Sequence, residues 1–263
     1  MQDKKTKIAI ITGASSGMGK EFVKEAANRY DLDEIWVVAR RKDRLVALQS
    51  EVKTKIIPVP LDLTKGEDIT ALSLKLAAET PDVFLLVNAS GYGKFGNFQS
   101  SADKDSVGMC DLNLKALILV TRAAMPYMNA GAKIMEIGSI SAFMPVPSLP
   151  VYAATKAAVL SFTRALNHEL KPRKIHALCV CPYWVKTEFF DRANEEFKIK
   201  KLDVLYEPEF IAKKAFRALD KTKKDYVVPG AYAKLILFAA KILPHKLIMK
   251  IMDKKFRFEK QNV

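Results

Sequence analysis

The sequence predicts a single doubly wound α/β domain, a mainly parallel seven-stranded sheet flanked by helices. Seven short apolar runs carry the prediction: KIAIIT, EIWVVA, KIIPVPL, VFLLVN, KIMEIG, HALCVC and DYVVP, most of them separated by longer helix-like stretches. A chain of 263 residues, 49% of them hydrophobic, can bury one sizeable core. No internal repeat, low-complexity segment or Gly/Ser-rich linker divides it, so residues 1–263 are read as one domain.

The first strand runs straight into TGASSGMG, which places Gly13, Gly17 and Gly19 at a strand-to-helix turn. Glycine permits the turn and a close backbone approach. The N–H groups around Ser15, Ser16 and Met18, together with the dipole of the helix that follows, can receive a pyrophosphate. By itself a glycine pattern is also compatible with a structural loop.

The end of the second strand is an independent test of nucleotide binding. A carboxylate there would accept the ribose 2′-hydroxyl of NAD and repel a 2′-phosphate. The sequence instead has Ala39, Arg40 and Arg41. A guanidinium pairs with phosphate through charge-assisted hydrogen bonds, so NADP(H) is favoured over NAD(H). After the third strand, Asp62 and Leu63 reach the same sheet edge, where Asp62 either accepts from an adenine amino group or caps a helix.

The strongest chemical signal is YAATK. Tyr152 and Lys156 are four residues apart and share one helix face, and Ser139 closes the strand thirteen residues upstream. A lysine charge about 4 Å from a phenol, at an effective dielectric of about 20, is worth ~4 kcal/mol, or about three pKa units. That would bring a tyrosine towards the range useful for general acid–base catalysis.

TGASSGMG, the SIS before YAATK, and DLNLKA together resemble the short-chain dehydrogenase/reductase family over roughly residues 6–190. The resemblance implies a Rossmann-like fold and interconversion of a secondary alcohol and a ketone. It implies that Tyr152 exchanges the proton, that Ser139 hydrogen-bonds the substrate oxygen, and that Lys156 lowers the tyrosine pKa and binds the nicotinamide ribose. Asn113 matches the asparagine that holds a water of the proton relay. In VNASGYG, Ala89 stands where the family has asparagine, so that either Asn88 substitutes or the sheet's hydrogen bonding differs locally; Asn88, Ala89, Ser90 and Gly91 are expected at the cofactor. In CPYWVKTEF, Pro182, Tyr183, Val185 and Thr187 are expected at the nicotinamide, Tyr183 replacing the usual glycine. A homodimer or homotetramer is also implied.

Phe143, Met144, Val146, Leu149, Tyr183, Trp184, Phe189 and Phe190 can form an apolar wall around the site, about half of them touching a bulky hydrophobic substrate such as a steroid, bile acid or lipid-like ketone. Residues 188–210 are expected to supply a substrate lid. Residues 231–263 read as an amphipathic helical extension broken near Pro244. That extension can dock on its own domain or a partner subunit, cover the substrate, or contact a membrane surface.

The remaining features narrow the class. A formal charge of +14 attracts anions, but no aromatic stripe accompanies it to suggest nucleic acid. Three cysteines fit free thiols, no histidine spacing suggests metal, and a cytoplasmic protein is the default expectation. The rival reading is a sensor or scaffold that binds NADP(H) without turnover, for which the Ser139, Tyr152, Lys156 and Asn113 set would be superfluous.

Overall fold

The computed structural model describes residues 5–193 and 204–255. The chain runs β1 (Lys7–Thr12), α1 (Gly17–Arg29), β2 (Glu34–Ala39), α2 (Lys42–Ala47), β3 (Lys55–Pro60), α3 (Gly66–Glu79) and β4 (Asp82–Asn88). It continues with α4 (Asp103–Cys110), a π-helical stretch (Asp111–Ala116), α5 (Leu117–Ala124), β5 (Lys133–Ile137), α6 (Pro150–Glu169) and β6 (His176–Val180). Then come α7 (Phe189–Ala193), α8 (Pro208–Lys221), β7 (Tyr226–Val227), α9 (Ala231–Ile242) and α10 (His245–Lys255).

The seven strands form one parallel sheet in the order β3-β2-β1-β4-β5-β6-β7. Successive residues of β1 point to opposite faces. Ile8 and Ile10 enter a core with Trp36, Leu72 and Leu76, while Ala9 and Ile11 enter the other with Phe22, Leu45 and Phe216. Both faces are therefore covered by helices, which is why the strands read as nearly continuous apolar runs.

Chain direction across the sheet reverses between β1 and β4, and the crevice outside their carboxyl ends is where such sheets bind ligands. The residues singled out in the sequence lie along that edge, from the turn after β1 to the loop after β6.

Phe216 of α8 is fully buried, with its ring 6.2 Å from Phe22 and 5.9 Å from Tyr30. Phe216→Ala should cost about 3–5 kcal/mol of stability, read as a lowered midpoint in urea unfolding, because it leaves a cavity between α8, α1 and the sheet.

Candidate active site

The turn after β1 is shaped by what cannot fit in it. Gly13 and Gly17 have φ of +67° and +54°. A Cβ on Gly13 would lie 2.8 Å from the Ala89 carbonyl group, and one on Gly19 would lie 2.1 Å from the Gly13 carbonyl oxygen. The Oγ1 of Thr12 accepts from the backbone N–H of both Ala89 and Ser90 at 3.1 Å, tying the ends of β1 and β4 together. Ser16 caps α1 with backbone only, and no acidic residue stands in its first turn. These features fit an anionic group at the helix start.

The basic groups divide unequally. Arg40 is 63% exposed, its guanidinium 4.0 Å from Asp62. Arg41 lies over the turn, donating to Ser15 Oγ and Ser16 Oγ at 3.0 Å and to Glu188 at 2.9 Å. Arg44 also pairs with Glu188. Glu188 was missed in the sequence because nothing local shows that a residue 147 positions away reaches Arg41.

Asp62 does not cap α3, whose N-cap is Lys65; its Oδ1 accepts from the Thr64 N–H and hydroxyl instead. Burial opposes its charge, but those hydrogen bonds and the charge of Arg40 hold its carboxyl below the usual range. Leu63 is buried in the core with Trp36.

At the end of β4, Asn88 is buried and its amide donates to Thr121 Oγ1 at 2.9 Å and Glu136 Oε1 at 3.2 Å. Its side chain is therefore committed to the sheet, leaving the backbone of Ala89, Ser90 and Gly91 at the crevice. A Cβ on Gly91 would lie 3.0 Å from Asn113 Oδ1 and 3.5 Å from Lys156 Nζ, so its absence lets this loop approach both.

Asn113, in the π-helical stretch, is fully buried. Its Oδ1 accepts from the Tyr92 N–H and its Nδ2 donates to the Tyr92 carbonyl, both at 2.9 Å, with Thr155 Oγ1 at 3.2 Å. The side chain thus clasps the loop that carries Gly91. Both polar atoms of the Asn113 side chain are therefore bonded within the protein.

Ser139, Tyr152 and Lys156 converge from the end of β5 and from α6. Ser139 Oγ accepts from the Ser141 N–H at 3.2 Å and lies near enough to the Tyr152 hydroxyl to favour its ionised form. Lys156 lies 5.6 Å from the Tyr152 ring centre and donates to the Ile137 carbonyl at 2.7 Å.

The expected lowering of the Tyr152 pKa is not found. Burial pushes it up to about 12, only partly offset by Ser139. Tyr152 is half-buried and lines the cavity, and the protein packed around it disfavours the charged phenolate. Burial also brings Lys156 down to about 8, so the charge that was to act on the phenol is itself disfavoured.

The residues after β6 divide between two sides. Thr187 lies over the turn, its Cγ2 2.9 Å from where a Gly17 Cβ would be. Val185 is buried and pairs with Tyr206, and the Pro182 carbonyl accepts from the Ile140 N–H at 2.9 Å. Tyr183 faces the apolar side, edge-on to Trp184 at 5.8 Å and Tyr232 at 5.4 Å. Met18 packs under the turn against the core.

Next to Ser139 and Tyr152 lies a cavity of about 170 Å³. Met144, Val146, Leu149, Tyr183 and Trp184 of the expected apolar wall line it. The other three pack elsewhere: Phe143 against Tyr226, Phe189 against Tyr152 and Phe190 against Trp184. The far wall comes from α9 and α10, through Ile236, Ala240, Ile248 and Met252 among others. Of the expected lid, residues 194–203 lie outside the described residues. Ser141, not singled out in the sequence, also lines the cavity, with a buried hydroxyl that has no hydrogen-bond partner among the described residues.

A family model described as short chain dehydrogenase matches residues 7–198. The chain is 27% identical over 284 aligned positions to the NADPH-dependent 1-acyldihydroxyacetone phosphate reductase of Saccharomyces cerevisiae, covering 100% of this chain and 95% of that protein. A short-chain dehydrogenase from Sphingobium yanoikuyae in complex with NADPH superposes with a TM-score of 0.78 at 26% identity, covering 98% of each chain. The bulky-bulky ketone specific alcohol dehydrogenase from Comamonas testosteroni gives a TM-score of 0.71 at 27% identity, over 92% of this chain and 93% of that one.

Glu136 on β5 is fully buried, and its Oε2 has no hydrogen-bond partner among the described residues. Burial raises its pKa from 4.5 to about 8 against the hydrogen bonds from Thr121 and Asn88. The folded state therefore holds a proton that the unfolded state loses, and stability from this group falls as pH rises from about 4.5 to about 8. Glu136→Gln should match the wild-type melting temperature near pH 4.5, gain on it steadily towards pH 8 and hold a constant margin above. Thermal melts across that range check this; a difference independent of pH would contradict it.

Proposed function

The chain belongs to the short-chain dehydrogenase family, and on that premise we propose that it is an NADP(H)-dependent oxidoreductase interconverting a bulky hydrophobic ketone and its secondary alcohol. One observation carries the reading: the neighbouring side chains of Ser139 and Tyr152 line a cavity whose other walls are almost wholly apolar. A carbonyl group placed beside them meets both hydroxyls while the rest of the molecule is desolvated. The names of the yeast and Comamonas relatives, an acyl-lipid reductase and a bulky-ketone enzyme, agree with this substrate class.

Arg40 and Arg41 support the choice of NADP(H). Arg40 is exposed beside the second strand, and Arg41 already bonds the two serines of the phosphate turn. The turn itself, Gly13 to Gly19, would hold the pyrophosphate, with Ala89, Ser90, Gly91 and Thr187 along the rest of the cofactor. When bound, the cofactor supplies or accepts the hydride.

This chain's own residues handle the proton. In reduction, Tyr152 gives its phenolic proton to the carbonyl oxygen as negative charge develops there, and Ser139 donates to the same oxygen. With a pKa near 12 the phenol is fully protonated at neutral pH, which suits the reductive direction. Lys156, near 8, exchanges protons close to neutrality and can restore the one Tyr152 loses. Asn113 keeps Gly91 against Lys156, and the free hydroxyl of Ser141 offers a second polar contact inside the cavity.

The test is loss of NADPH absorbance with a panel of steroid, bile-acid, acyl-lipid and aryl ketones. Tyr152→Phe should lower kcat about 10²–10⁴-fold and leave NADPH binding intact. Arg40→Ala with Arg41→Ala should weaken NADPH by about tenfold or more and leave NADH nearly unchanged. NADPH binding with no turnover across the panel would favour a non-catalytic sensor instead.

A further inference from the structure

Six of the twelve large apolar side chains exposed among the described residues lie between Leu235 and Ile251. Leu235, Phe238 and Ile242 are 61%, 61% and 62% exposed and follow the i, i+3, i+7 spacing of one face of α9. Leu247 and Ile251, four apart on α10, are 44% and 52% exposed. The opposite faces are used: Ile236 and Ala240 of α9, and Ile248 and Met252 of α10, line the cavity. Each helix is thus apolar on two sides, one sealing the cavity and one facing solvent. Soluble surfaces rarely keep so large an apolar patch without a partner.

The charges around this patch select the partner. Lys234, Lys241, Lys246 and Lys250 are exposed among the apolar residues, and Asp253 is the one carboxylate in residues 231–255. Two copies meeting through this same face would bring lysines against lysines. An anionic phospholipid surface complements it, taking the apolar side chains at the headgroup boundary and the ammonium groups among the phosphates. Helices of 12 and 11 residues are too short to span a bilayer, and no helix among the described residues is long and apolar enough to do so.

Leu243 and Ile251 belong to both surfaces: each is exposed and each lines the cavity. The cavity mouth therefore borders the patch. We propose that α9 and α10 form a membrane-docking surface that seats on anionic phospholipid and turns the cavity mouth towards the lipid, so that hydrophobic substrate loads from the bilayer. The loading half rests on the cavity being the substrate site; the docking half does not.

The test is co-sedimentation of the full chain with phosphatidylcholine vesicles, with and without about 30% phosphatidylserine. Wild type should bind the anionic vesicles at least about tenfold more tightly, and high salt should erase the difference. Leu235→Gln, Phe238→Gln and Leu247→Gln together should reduce that binding about tenfold or more, with an unchanged melting temperature, since these side chains are exposed and outside the cavity wall. Lys234→Gln, Lys246→Gln and Lys250→Gln together should abolish the preference for phosphatidylserine.

With a water-soluble ketone the apolar triple variant should turn over at the wild-type rate, and with a ketone dissolved in anionic vesicles it should be slower. Loss of turnover by wild type on both ketones would overturn the proposed activity and the loading, and leave docking to the sedimentation result. Equal sedimentation of wild type and the apolar triple variant would overturn docking. So would light scattering that shows a dimer dissolved by that variant without vesicle binding, since the occupant would then be a second copy.

Discussion

A side chain on Gly13 or Gly19 would have to occupy space already filled by backbone: the Ala89 carbonyl group in one case, the Gly13 carbonyl oxygen in the other. This close approach sets the distance between β1, β4 and the start of α1, and the rest of the site is built from it. Thr12 reinforces it with two hydrogen bonds to the β4 end. Because β4 is held there, Gly91 can come up against Asn113 and Lys156, and the loop carrying it is clasped by Asn113. Thr187 packs over Gly17 from the far side. Bare backbone at a few positions thus fixes groups drawn from the ends of β1, β4 and β6 and from the helical segments that carry Asn113 and Lys156.

The electrostatics of the site follow from enclosure more than from pairing. Tyr152, Lys156 and Glu136 are all shifted towards their neutral forms, the first two by burial beside the crevice and the third by burial within the sheet. Water exclusion of this kind strengthens each hydrogen bond that remains, such as that from Lys156 to the Ile137 carbonyl, and makes the protonation of each group sensitive to any charge brought near. The ion pairs of Arg41 and Arg44 with Glu188 are of a different kind, exposed and screened, and contribute little to stability. Their effect is to hold Arg41 against Ser15 and Ser16 of the turn after β1.

The C-terminal helices join the apolar cavity to the outer surface. A wall made of two short helices that are apolar on both sides gains stability from the cavity-lining side and leaves the other available for a second environment. Trp184 and Tyr183, from the loop after β6, line the same cavity as Ser139 and Tyr152, and Tyr232 of α9 packs against Tyr183. The ring of Tyr183 is thus part of how the extension is held to the sheet.

The seven strands, their parallel arrangement and the crevice after β1 were legible in the sequence, because strands covered on both faces must be apolar throughout and glycine spacing marks the turn. YAATK placed Tyr152 and Lys156 together for an equally local reason, the helical period. Local pattern did not disclose that Asn88 turns into the sheet towards Thr121 and Glu136, or that Asp62 binds Thr64 in place of capping α3. Nor did it show the pairing of Arg41 with Glu188 or the wall formed by α9 and α10. Coulomb's law applied to two residues predicted a depressed tyrosine pKa, and the tertiary structure reversed the sign, since desolvation depends on everything packed around a group and not on its neighbours in the chain. Periodicity and steric need, both readable along the chain, set the fold and the chemical groups that reach the crevice; their partners, their protonation and the shape of the cavity come from burial and from contacts between distant segments.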